Sequence, residues 1–170
     1  MLKISVLAYH SANIAGNDYQ NNDHVALSHD LELVNSLGYR IIPADWLVEW
    51  LADHRDLDQA GHYVVLTFDD GVSLDFHDWV HPEHGFQTSF FNILKEFSLK
   101  HPKQQPNVHA SSFVIASRQA RKNIQEKALS GHPILGDDWW IDAEKTQLLS
   151  IENHSWDHNH PDCGISSQKD

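Results

Sequence analysis

The 170-residue chain is long enough for one domain with a sizeable core, and 41% hydrophobic and 21% charged residues describe an ordinary globular protein. Its formal net charge of −12 argues against nucleic acid or an anionic membrane surface as partner, because binding phosphate needs a basic patch. The one cysteine, Cys163, excludes an intramolecular disulfide and a zinc ribbon or finger, and no stretch approaches the roughly 20 apolar residues of a membrane span.

Residues 3–9 read as a first core strand rather than a signal peptide. The apolar stretch is short, and Tyr9-His10 runs into polar sequence without a cleavage site. A cytoplasmic location follows as the default. His10, at the strand end, is read as a hydrogen-bonded structural residue; the alternative is that it faces the same cleft as Asp69. Residues 11–23 hold Asn13, Gly16, Asn17, Asn21 and Asn22, which is loop chemistry suited to a cleft rim. Leu27, Leu31, Val34 and Leu37 then form a helical stripe over 25–37, ended by Gly38. Residues 39–42 make a short strand stopped by Pro43. An amphipathic helix over 44–52 follows, with Trp46, Leu47, Trp50 and Leu51 on its buried side.

Val64, Val65, Leu66 and Phe68 suit a strand buried on both faces, as in a parallel sheet covered by helices. Asp69 and Asp70 sit where this strand leaves the core, and Gly71 allows a sharp turn. Carboxyl ends of strands are where ligands bind in such folds. Residues 72–84 are read as a solvated loop that shapes access to the cleft. Its His77, His81 and His84 are not taken as a metal site, because Pro82 interrupts any helix that would present them. A helix over 89–97 and a strand over 110–116 follow. Ser117 caps a helix whose Arg118, Arg121, Lys122 and Lys127 form a basic solvated face. Asp137 or Asp138 caps a helix over 139–148, residues 150–153 form a last strand, and 161–170 are a polar tail.

That last strand leads into His154-Ser-Trp-Asp-His158. The i, i+4 spacing puts two imidazoles on one side of a helical turn, able to grip one ion. Among 14 histidines such a pair also arises by chance. Together and in this order, Thr67-Phe-Asp-Asp-Gly71 and His154-Ser-x-x-His158 resemble the first two motifs of the polysaccharide deacetylase family, the NodB-homology domain. The resemblance implies an α/β fold, an incomplete (β/α) barrel of the polysaccharide deacetylase type with mostly parallel strands and outer helices. It also implies that Asp70, His154 and His158 bind one divalent metal, zinc by preference, while Asp69 is the general base that deprotonates water held by the metal. The Gly71 N–H would serve the oxyanion, and Asn153 or Asp157 would orient a histidine.

The implied activity is removal of acetyl groups from N- or O-acetylated carbohydrate. The alternatives are a non-catalytic domain of this type that binds glycan or a partner chain, and an amide or imide hydrolase on a small non-sugar substrate. The resemblance spans about Lys3 to about His160. The family's later arginine, acidic-tryptophan and histidine motifs are absent from this sequence. A complete barrel takes about 250 residues, so the chain is expected to be either the N-terminal portion of one longer domain or a shortened variant of it, with about five strands and apolar strand edges left open.

Overall fold

A parallel sheet carries the structure, described for residues 2–129 and 131–158 by a computed structural model. Cys163 and the polar tail lie outside the described residues. The sheet contains β1 (Lys3–Tyr9), β2 (Arg40–Ile41), β3 (His62–Phe68), β6 (Ala110–Val114) and β7 (Leu149–Asn153). Its centre is β3. Strand β1 lies parallel along its whole length, from Lys3 beside His62 to Tyr9 beside Phe68. Strand β2 pairs with Tyr63 and Val64, and β6 with Leu66 to Phe68, so the two divide the remaining edge of β3. Strand β7 continues beyond β6, with Val114 opposite Asn153. All pairings in this sheet are parallel, which brings the ends of β1, β3, β6 and β7 out on one side.

Side-chain alternation explains why β3 is the centre. Val64, Leu66 and Phe68 pack in the main core with residues of α1 (Asp23–Ser36) and α3 (Phe90–Lys100), among them Leu27, Leu31, Phe90 and Leu94. Tyr63 and Val65 point the other way and meet Trp46, Leu47 and Trp50 of α2 (Ala44–Leu51). The expected arrangement of mostly parallel strands with flanking helices is therefore present. Among the described residues the sheet does not close into a barrel: β1 and β7 end its strand order, and Val6 in the middle of β1 is 54% exposed.

Several expectations need correction. Helix α1 starts at Asp23 rather than Val25, because the Asn22 side chain accepts the His24 N–H and caps it there. Leu51 is not on the buried side of α2; it is 69% exposed. Residues 72–84 are not a solvated loop. After β3 the chain makes one 3-10 turn, Ser73–Asp75, that buries Val72, Leu74 and Asp75. It then forms an antiparallel hairpin of β4 (Trp79–His81) and β5 (Gly85–Gln87). Ser117 does cap α4 (Arg118–Lys127). Arg121, however, leaves the basic face and is only 3% exposed. Its guanidinium donates to the carbonyls of Ile115, Ala116 and Leu135 and to Asp137 Oδ2 at 2.6 Å. Asp137 is thus engaged by Arg121, and the short helix α5 (Trp140–Lys145) has no side-chain cap.

A close approach joins the exit of β3 to the end of β6. Gly71 has φ 64°, and a Cβ there would lie 2.5 Å from Val114 Cγ1 and 2.7 Å from Val114 Cα. Gly71→Ala should lower unfolding stability by about 1–3 kcal/mol from the backbone conformation alone, with the steric conflict adding to it. Urea denaturation followed by circular dichroism checks this, and an unchanged midpoint would refute the close approach.

Candidate metal centre

Parallel register brings Asp69 and Asp70 out on the same side of the sheet as the loops that leave β1 and β7. The Asp69 N–H donates to the Tyr9 carbonyl at 3.0 Å, which extends the β1–β3 pairing to the first carboxylate. Asp70 follows in the left-handed region, φ 73°, a conformation costly for a residue with a Cβ. The histidine segment is not a helical turn. It is a loop fastened along the exit of β6: the His154 N–H donates to the Val114 carbonyl, while Ser155 and Trp156 carbonyls accept from the N–H groups of Ala116 and Ser117. Ser155 and His158 also take positive φ, 81° and 44°, and the His158 N–H donates to Ser155 Oγ. Those three left-handed residues bend the two segments so that their side chains converge.

The His154 and His158 rings lie 5.0 Å apart, and their Nε2 atoms are 3.7 and 3.5 Å from Asp70 Oδ1. Such distances are too long for good hydrogen bonds. They suit an ion between the groups: zinc bonds of about 2.0–2.1 Å in a tetrahedron set neighbouring ligand atoms about 3.4 Å apart. One donor atom from each of Asp70, His154 and His158 falls within a common 4.8 Å, and no other such group occurs among the described residues. Two imidazoles and a carboxylate fit zinc and other first-row divalent ions. Asn153 is exposed at the end of β7, and Asp157 lies in the loop between the two histidines.

Asp69 stands outside this triangle. Its Oδ2 is 3.9 Å from His10 Nε2, and both side chains remain partly open to solvent. His10 therefore takes the alternative placement, on the cleft beside Asp69, rather than the structural one. Sequence reasoning missed Asp75, which is fully buried. Its two oxygens accept from Ser11 Oγ, in the loop after β1, and from Ser112 Oγ of β6 at 2.6 Å. Burial pushes its carboxyl up to about 7; the two hydroxyls work against that shift, and the charges of Asp70 and Asp69 add to it. The only sequence signal was an aspartate inside the apolar run Val72 to Phe76.

Because the folded value lies above that of an unfolded aspartate, about 3.9, folding favours the protonated form. That contribution is complete below about pH 4 and is lost as pH rises through about 7 in metal-free protein. Asp75→Asn should remove this component. Melting temperatures of metal-free wild type and variant, measured from pH 5 to 8, should show a steeper fall in the wild type. Parallel slopes would refute it.

No protein-family model matches the sequence, and no curated protein matches it. Solved structures do. A deacetylase from Streptococcus pyogenes, PplD, solved in complex with acetate, superposes with a TM-score of 0.55 at 19% identity, over 92% of this chain and 58% of that one. A de-N-acetylase from Aggregatibacter actinomycetemcomitans gives 0.55 at 18% identity, over 89% of this chain and 54% of the other. The chain thus spans a little over half the length of these enzymes. Across that span, it has the polysaccharide deacetylase type of fold that its two motifs implied.

Proposed function

We propose that the chain is the metal-binding portion of a hydrolase that removes acetyl groups from N- or O-acetylated carbohydrate. The observation that carries this reading is the convergence of Asp70, His154 and His158 on one point beside the separate carboxylate of Asp69. When bound there, a divalent ion, zinc by preference, acidifies water and polarises an acyl carbonyl.

The chain's own residues divide the remaining tasks. Asp70, His154 and His158 hold the ion. Asp69, partly exposed and outside the ligand set, takes the proton from the attacking water. The Gly71 N–H, next after Asp70, donates to the oxyanion that develops on the carbonyl. The acetate bound to the streptococcal deacetylase is the acid that acetyl hydrolysis releases, which supports an acetyl group as the part removed.

Elemental analysis of the purified chain should find about one divalent ion, and none in the His154→Ala, His158→Ala double variant. An ion retained by the double variant, or none in the wild type, would overturn the assignment. Asp69→Asn should keep the ion while acetate release falls about 10²–10⁴-fold, the range for loss of a general base. Undiminished release would remove Asp69 from the mechanism.

A further inference from the structure

A second cleft opens on the side of the sheet where Asp69 and Asp70 emerge. It has a volume of about 520 Å³ and lies between the loop after β1, the β4–β5 hairpin and the segment around His132, within the usual size of small-molecule sites, about 300–1,000 Å³. Its apolar wall includes Ala12 and Ile14, which closely follow His10, the neighbour of Asp69. The Ser73 N–H donates to the Ile134 carbonyl at 2.6 Å and joins the far wall to the turn that follows Gly71. The cleft is thus tied to the candidate site at two places, through the loop after β1 that carries His10 and through the turn that follows Gly71.

Trp79 is the largest side chain in this cleft, packed from behind against the satellite core of Val72, Leu74, Ile115 and Ile134. Two imidazoles stand edge-on to its indole: His81 at 5.0 Å between ring centres and His132 at 5.6 Å. The His84 ring lies 4.6 Å from that of His81. His81 Nδ1 accepts backbone N–H groups from Glu83 and His84 at 3.1 and 3.2 Å, which leaves the proton of a neutral ring on Nε2. Metal ligation through Nε2 would require giving up both bonds, and these residues do not form a ligand cluster of metal-site geometry.

The cleft is also held in shape. Gln87 on β5 donates to the His84 carbonyl and to the exposed Asn17, and accepts from the buried Asn22, so the hairpin is fastened to the loop after β1 by side-chain amides. Burial and the neighbouring imidazoles of His84 and His132 hold His81 below its ordinary pKa, towards its neutral form. Glu83 at the cleft and the chain's net charge of −12 disfavour an anion. A flat indole flanked by imidazole nitrogens is the chemistry that receives a hydroxylated ring. The indole takes its C–H face, and the imidazoles take its hydroxyls.

We propose that this cleft is a subsite for a neutral sugar ring of the same carbohydrate whose acyl group is removed at Asp69, with the ring stacked on Trp79 and hydrogen-bonded by His81, His84 and His132. The proposal rests on the carbohydrate reading of the metal centre. It adds that the substrate extends over at least one further ring, towards the β4–β5 hairpin.

The test is a titration of the full chain carrying Asp69→Asn, which prevents turnover, with the neutral tetramer of N-acetylglucosamine. Indole and imidazole resonances are followed by NMR, with the Trp79 signal assigned through Trp79→Phe. The expected result is that the Trp79 indole and His132 ring signals shift on binding. His132→Ala should raise Kd about two- to tenfold, the loss expected for one neutral hydrogen bond. Shifts confined to residues around Asp70 and His154 would overturn the subsite and leave the deacetylase reading standing. Shifts at Trp79, with no acetate released by the wild-type chain, would keep the sugar site and remove the deacetylase. No shift anywhere would overturn both.

Discussion

The contact of Gly71 with Val114 is the constraint on which the rest of the site depends. Strands β3 and β6 are neighbours in register, so the backbone turning out of β3 must cross directly over the end of β6. Only a residue without a Cβ fits there. Just before the crossing, Asp70 takes its left-handed conformation, and its carboxylate meets the histidines of the segment leaving β7. Val114 meets that segment as well, since its carbonyl accepts the His154 N–H. One residue at the end of β6 therefore touches both halves of the candidate metal centre. Strain at Asp70, Ser155 and His158 is tolerated because hydrogen bonds to β1, in the case of Asp70, and to β6 and its exit, in the case of the histidine segment, fix the neighbouring backbone.

Electrostatics then links the centre to folding. Asp69, Asp70 and the buried Asp75 gather three carboxyl groups at the end of one strand, in a chain that is already strongly acidic. Burial and like charge both oppose ionisation of Asp75, and only two serine hydroxyls favour it. A divalent ion at Asp70 would relieve the repulsion. An ion held there would couple metal affinity to fold stability through the same carboxylates, and that coupling would grow as pH rises and Asp75 ionises.

Much of this was legible in the sequence because it followed from local pattern. The apolar run Val64 to Phe68 reads as a doubly buried strand, and the two motifs at strand ends name the residues that converge. Features that depend on a distant partner were not legible. Arg121 carries the composition of a solvated helix face, yet the carbonyls of Ile115, Ala116 and Leu135 draw it inward. Asp75 reads as one more polar residue in a loop until Ser11 and Ser112, 64 and 37 residues away in sequence, close on it. The His154–His158 spacing suggested a helical turn. The same convergence arises from two left-handed residues, a conformation that neither serine nor histidine signals.

An open sheet with a fully assembled ligand triangle also separates two properties that a complete barrel would merge. The triangle draws on the ends of β3 and β7 and is braced by β6, all of which lie within the described sheet. A substrate needs walls as well as a metal. Beside the candidate site, the loop after β1 and the β4–β5 hairpin are clamped together by Asn17, Asn22 and Gln87, without further strands of the main sheet. The His24 ring lies between the carbonyls of Ser11 and Thr88, 2.9 and 2.7 Å from its two nitrogens, and joins the base of that clamp to the loop that holds Asp75. Buried amide and imidazole contacts of this kind have few alternative partners, so the rim keeps its shape without a closed barrel behind it.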